Sequence, residues 1–221
     1  MYKAEVVVVR DLTSEDLGRV TEIHLAAFEE SALSKLGPRV VRRYYEWLVE
    51  GPHDAARHGA LVGDEIAGFC FGGIFRGAMS GFLRRNRVFL ASQVMLRPWT
   101  LMNPIFRERI ARATRILARS DSNRSLPDGR DCSRPFGILD IAVDPRFQGL
   151  GVGVVLMRAA EAIARERGFR EMALTVRTDN HRAINFYEHL EWKKVATEEL
   201  WAGRMIKPLA ADVEYEEEVF V

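Results

Sequence analysis

Leu139-Asp140-Ile141-Ala142-Val143-Asp144-Pro145-Arg146-Phe147-Gln148-Gly149-Leu150-Gly151-Val152-Gly153 is the stretch on which the reading of this chain turns. An apolar, strand-like run ends at Asp144-Pro145. A glycine-spaced turn follows, and a long amphipathic helix is expected to start at about Val154. That order sets a row of backbone N–H groups at a helix N-terminus, where nothing inside the helix can accept from them. Such an end attracts phosphate through its free donors and its dipole together. Glycine in the turn lets a ligand come close to the main chain.

Two well-known phosphate loops do not fit. A Walker A loop needs Gly-Lys-Ser/Thr after its glycines, and Val154 and Val155 stand there instead. The dinucleotide fingerprint G-x-G-x-x-G is not met by Gly149, Gly151 and Gly153. The spacing Gln148-x-x-Gly151-x-Gly153 resembles the acyl-CoA pyrophosphate loop of the GCN5-related N-acetyltransferases, Q/R-x-x-G-x-G/A. A second block, Asn180-His181-Arg182-Ala183-Ile184-Asn185-Phe186-Tyr187-Glu188-His189-Leu190-Glu191-Trp192, is similar to that family's N-x-x-A-x-x-F-Y-E-x-L-G-F. Glu191 stands in place of the usual glycine and Trp192 in place of the usual phenylalanine. The two blocks span residues 139 to 195.

The resemblance implies an α/β domain of the acyl-CoA N-acyltransferase fold. Its central sheet is mixed, mostly antiparallel and splayed at the fourth and fifth strands. It implies acetyl-CoA as cofactor, a direct attack by the acceptor in a ternary complex, and no metal. Gln148, Gly149, Leu150, Gly151, Val152, Gly153 and Val154 would meet the diphosphate through backbone N–H groups. Ile141, Ala142 and Val143 would receive the pantetheine arm as an added strand, and an N–H near Val143 would polarise the thioester carbonyl. Tyr187 would serve as acid to the departing thiolate, and also contact the cofactor. Asn180 would cap a helix, bond the pantetheine arm, or do both. Asp140 is a candidate base on the central strand, with parity opposite to Ile141 and Val143 unless a bulge resets the register. His24, Glu29 and Glu30, at the end of the first helix, are the other base candidates.

Composition bounds the rest. A chain of 221 residues can bury one good-sized core. A formal net charge of +1 offers no bulk case for nucleic acid. Glu5, Arg10 and Asp11 near the start are unlike a secretory signal. Cys70 and Cys132 have no metal-ligand spacing around them, so both are expected reduced in a cytoplasmic protein.

Strands are expected at Tyr2–Arg10, Ala60–Val62 and Ile66–Gly72, and helices from Leu17 to Ala27 and after Pro38. The next strand waits until Phe136, so residues 74–135 form an insertion far longer than an ordinary connection. Two or three helices are expected in it, including an amphipathic run Ile105–Ala118, followed by a polar loop 119–134. The core resumes with the strand Phe136–Val143, a helix 154–167, the strand Met172–Val176, the helix His181–His189, and strands near 192–197 and 200–206. The domain is thus expected over 1–210, with an acidic tail at 211–221. Arg84, Arg85, Arg87 and Arg97 in the insertion admit an anionic acceptor such as a sugar nucleotide. Interleaved with Phe82, Phe89 and Trp99 they also admit a membrane surface or a homodimer contact. The acceptor classes left open are small amines, amino sugars and protein N-termini. The competing reading is a non-catalytic acyl-CoA-binding or membrane-peripheral assembly protein on the same fold.

Overall fold

The computed structural model of the protein describes residues 7–75, 77–97, 134–196 and 201–209, with the single positions 102, 107 and 111. The chain enters as β1 (Val7–Asp11). A capping box then seeds the first helical turn: the Thr13 N–H donates to Asp16 Oδ2 at 2.8 Å. Arg10 holds the same carboxylate from the other side at 2.7 Å. Helix α1 (Leu17–Ala27) buries Leu17, Val20, Ile23 and His24 on one face. Short α2 (Ala32–Leu36) is capped by Ser31, and α3 (Pro38–Glu50) starts with proline in its first turn.

Strands β2 (Asp54–Val62) and β3 (Glu65–Ile74) form a hairpin through Gly63 and Asp64. Both run longer than their residue types suggest. Ala55-Ala56-Arg57-His58-Gly59 carries little strand propensity, but β2 has a ladder partner on each side and the pairing overrides propensity. Of the insertion, α4 (Ala78–Arg85) and α5 (Arg87–Met95) are described. The expected helix at 105–118, the loop at 119–133 and the acidic tail lie outside the described residues, bar positions 107 and 111.

The second half carries β4 (Phe136–Val143), α6 (Val152–Glu166), β5 (Glu171–Thr175), α7 (His181–His189), β6 (Lys193–Lys194) and β7 (Arg204–Pro208). Helix α6 begins at Val152, two residues before the expected start, because Gly151 turns the chain at φ 79° and serves as its N-cap. The seven strands lie in the order β1-β2-β3-β4-β5-β7-β6. Among the described strands only β4 and β5 run parallel. One core fills the face under α6 and α7, with Phe136, Leu156, Met157 and Met172 at its centre. The other fills the opposite face under α1, α3 and α4, around Tyr45, Phe69, Phe71 and Phe82.

A bulge interrupts β4. Phe71 pairs with Asp140 and Gly72 with Ile138, so Leu139 has no partner on β3. The extra residue resets the alternation. Phe136 and Ile138 face the α6 core before it, and Ile141 and Val143 face the same core after it. Asp140 and Ala142 therefore face α1 and α3. Among the described residues no helix is long and apolar enough to cross a membrane.

Candidate functional site

The site begins where two strands part. β4 and β5 pair only at Phe136 with Met172 and at Gly137 with Ala173. Past those two rungs no strand among the described residues lies beside the β4 edge on that side. The Asp144 N–H donates to Ala67 O on β3 at 2.9 Å. Successive residues of a strand point their backbone groups to opposite sides, so Val143 and Ile141 present N–H and C=O to the gap. Ala142 turns its backbone to β3 and its side chain into the α1–α3 core. The side chain of Gln148 donates to the Val143 carbonyl at 3.4 Å.

The loop after β4 ends at the mouth of this fork. Gly149 and Gly151 adopt φ of 86° and 79°, a conformation that side chains with a Cβ resist. A Cβ at either would meet nothing within 4 Å, so the loop is open on that side. The first rung of α6 is Val155 N–H to Gly151 O at 3.1 Å. Among the described residues, the amides of Gly149 to Val154 have no backbone acceptor. Gly153 serves a different purpose. A Cβ there would lie 3.2 Å from Phe186 Cζ and 3.7 Å from Val143 Cγ2, so its bare Cα lets α7 close on β4.

An ionic brace holds the loop to the rest of the domain. Asp144, buried at 5 % exposure, accepts from the Arg146 backbone N–H at 2.9 Å and from Arg19 on α1 at 2.5 Å. Arg146 also grips Asp144 at 2.9 Å and pairs with Glu65. The Arg146 hydrogen bonds, and then those of Arg19, hold the Asp144 carboxyl well below the usual carboxylate range.

Tyr187 sits in the α6 core beside Cys70 and Trp192, with its ring 6.0 Å from the indole. Its hydroxyl has no hydrogen-bond partner among the described residues. Burial first, and then the Cys70 and Asp140 groups, push the phenol above its ordinary value, so it stays protonated at neutral pH. Asn180 caps α7, accepting from the Ala183 N–H at 3.1 Å. It also lines a cavity of about 500 Å³ at the mouth of the fork, walled by the end of α1, Glu29, Glu30 and Ser31. A second cavity of about 550 Å³ sits at the crotch, lined by Phe75, Leu139, Thr175, Arg134 and Arg204.

Asp140 is not isolated on its strand. The Tyr45 hydroxyl donates to Asp140 Oδ2. His24 Nδ1 lies 2.7 Å from the Tyr45 oxygen and 3.7 Å from the carboxylate. His24 Nε2 lies 3.3 Å from Ser31 Oγ. Two base candidates named from sequence thus belong to one buried chain. Tyr45 was missed because helical spacing picks Tyr44 and Trp47 as the buried side of α3, whereas the full burial of Tyr45 comes from Phe69 and Phe71 across the interface. The available signal was His24, a polar residue within an apolar stripe. Glu191 adopts φ 66° in spite of its side chain, and Trp192 still bonds back to Tyr187 O at 3.1 Å, so the turn keeps the shape that glycine would give. Arg84, Arg85, Arg87 and Arg97 of the insertion line neither fork cavity. Arg85 lies over the Trp47 ring and Arg97 bonds Gln93. Cys70 is a buried free thiol, and Cys132 lies outside the described residues.

Residues 119–192 match the model of the acetyltransferase (GNAT) family, a span that holds the loop and both sequence blocks. Over that span the chain is similar to the GNAT family. An uncharacterised N-acetyltransferase of Methanocaldococcus jannaschii is 39% identical over 70 residues, 32% of this chain and 30% of the relative. The match therefore spans under a third of that relative's length. Among solved structures, the ribosomal-protein-S18-alanine N-acetyltransferase of Escherichia coli superposes with a TM-score of 0.53 at 14% identity, covering 98% of this chain and 100% of that one. The PaiA N-acetyltransferase of Thermoplasma acidophilum, solved in complex with coenzyme A, superposes with a TM-score of 0.55 at 14% identity, over 92% and 99% of the two chains. At such identity these two share the GNAT fold with this chain. The mixed sheet, parallel only at β4 and β5, is the acyltransferase architecture.

Proposed function

We propose that this protein is an enzyme of the GNAT family and transfers an acetyl group from acetyl-CoA to a primary amine, by direct attack in a ternary complex. One observation carries the reading: the amides of Gly149 to Val154, without a backbone acceptor among the described residues, lie at the N-terminus of a 15-residue helix, beside the β4 edge that β5 leaves at the fork. The amides hold the diphosphate. The pantetheine arm lies along Ile141 and Val143, with Asn180 reaching it from the other prong. A β4 edge N–H, at or near Val143, receives the developing negative charge of the carbonyl oxygen.

Tyr187 acts on the sulfur. A phenol raised above about 10 is a weaker acid than a thiol near 8.5. Its role is therefore to stabilise the thiolate with a hydrogen bond rather than to surrender its proton completely. Arg204 at the crotch favours an acceptor with an anionic group.

The test has two arms. Calorimetry with coenzyme A is expected to show micromolar binding, and a panel of primary amines is expected to release free thiol from acetyl-CoA. Tyr187→Phe is expected to lower that rate about 100-fold or more with binding intact, the scale seen when a single charge-stabilising donor is removed. Absence of coenzyme A binding at about millimolar concentration refutes the reading. Binding without thiol release on any amine supports the acyl-CoA-binding alternative.

A further inference from the structure

We infer that His24, held as one defined tautomer by Tyr45 and Asp140, is the proton acceptor for the incoming amine, and that Ser31 relays the proton to it. The inference rests on the acetyl-transfer reading and names the base which that reading leaves unassigned.

Directionality decides the tautomer. The Tyr45 hydroxyl has one hydrogen, and it is given to Asp140. The contact between Tyr45 oxygen and His24 Nδ1 at 2.7 Å must then be filled by a hydrogen on Nδ1. A neutral imidazole with its hydrogen on Nδ1 has a bare lone pair on Nε2. That lone pair points at Ser31 Oγ, 3.3 Å away, and Ser31 forms part of the wall of the cavity beside Asn180. Ser34 Oγ, 2.8 Å from Ser31, closes the outer end of the chain. Every link runs the same way, from the cavity towards the carboxylate.

The ring has little freedom to leave this arrangement. His24 is 4% exposed and is wedged edge-on between Phe28 and Tyr45, with centroids at 5.0 and 5.5 Å. The charged groups near it are Asp140 from β4 and, on the rim of the cavity, Glu29, Glu30, Arg177 and Asp179. Glu30 is already paired with Lys35, and Asp179 with Arg177.

The step balances without a further reactant. As the amine nitrogen bonds to the thioester carbonyl carbon, its excess proton passes to Ser31 Oγ while the Ser31 hydrogen passes to His24 Nε2. The C–S bond breaks and the electron pair leaves with sulfur. The imidazolium that forms faces the Asp140 carboxylate through Tyr45. Asp140 thus acts as a positioning residue and not as the base itself. Its bulge-adjacent place on β4 ties the base to the strand that carries the thioester.

The test uses the full chain labelled with ¹⁵N at histidine, and two-bond proton–nitrogen spectra that report which ring nitrogen carries hydrogen. At about pH 7.5 the wild type should show Nδ1 protonated and Nε2 bare at His24. Asp140→Leu offers the Tyr45 hydroxyl no acceptor, so Tyr45 should then donate to Nδ1 and the proton should move to Nε2. Tyr45→Phe keeps the ring and removes the link, and is read the same way if the first variant folds poorly. With glycinamide and spermidine as probe acceptors, His24→Gln and Asp140→Leu should each lose about 100-fold or more in kcat. Their coenzyme A affinity should stay within about threefold of wild type (under ~0.7 kcal/mol). Nε2-protonated His24 in the wild type, a bare Nε2 in Asp140→Leu, or an unchanged kcat in His24→Gln would each overturn the inference. A wild type that ignores coenzyme A overturns the acetyl-transfer reading, while the tautomer measurement still reads the relay without any substrate.

Discussion

Replacing Gly153 by alanine separates two forces that a glycine in a helix usually confounds. Alanine in a helix interior is favoured over glycine by about 1 kcal/mol. Here the new methyl would sit 3.2 and 3.4 Å from two carbons of the Phe186 ring and 3.7 Å from Val143 Cγ2. The first contact is a few tenths of an ångström inside the optimum of about 3.5–4.0 Å. Overpacking costs about 1–3 kcal/mol, and Phe186 is only half-buried, so its ring can yield and the lower end applies. The two effects nearly cancel: stability should change by less than about 1 kcal/mol, or a melting temperature within about 4 °C of wild type. The methyl nonetheless enters the narrow space where the loop, β4 and α7 converge. Coenzyme A affinity should fall about tenfold or more, which is about 1.4 kcal/mol. Differential scanning calorimetry and titration calorimetry on the same preparation measure both. A variant that melts about 2–4 °C higher and binds coenzyme A as well as wild type would show that the ligand does not pass between Gly153, Phe186 and Val143.

Glu191→Gly should stabilise the protein: the left-handed conformation costs a residue with a Cβ about 1–2 kcal/mol, and glycine's extra freedom in the unfolded chain takes back about 0.4–1. A net gain of about 0.5–1 kcal/mol would appear as a higher urea midpoint, and a lower midpoint would refute the strain. Lys207 and Glu161 join β7 to α6 at 2.7 Å with both side chains nearly buried. Lys207→Ala should cost about 3 kcal/mol by stranding the Glu161 charge, and the paired Lys207→Met, Glu161→Gln change should recover most of it. A loss under about 1 kcal/mol in the single variant would mean that Arg165, 4.0 Å from Glu161, carries the pairing instead. Asp16 is lowered to about 2 by Arg10 and Thr13, and Asp144 is lowered by Arg146 and Arg19. The unfolded chain therefore binds more protons than the folded one below about pH 5, so stability should be full above that pH and fall as pH drops towards 2. Asp144→Asn should flatten this slope in acid urea titrations. An unchanged slope would dissociate Asp144 from acid unfolding.

Features carried by local chemistry are legible in the order of the residues. The glycine loop, the Asn180 cap and the Phe186-Tyr187 pair each depend on residues within one turn or one helix, and local spacing reports them. Features made by distant pairings are not. No spacing rule brings His24, Tyr45 and Asp140 together, because the last two are 95 residues apart in the chain and meet only when α3 lies across β4. The bulge at Leu139 is equally silent, since it arises from the register against β3 and not from the residue itself. The three glycines look alike in the motif. Two of them answer to backbone angle and the third to the approach of a ring on another helix. The insertion arginines mislead in the opposite sense: a cluster in the sequence disperses in space once helices turn its members to different neighbours.

Strand β7, near the end of the described chain, lies between two earlier ones, β5 and β6, and it supplies the long ladder that β5 lacks on its β4 side. One prong of the fork is therefore assembled from material that leaves the ribosome late. Until residue 208 is made, β5 keeps only two rungs to the rest of the sheet, and nascent chains stalled before that point should expose it to proteases and chaperones.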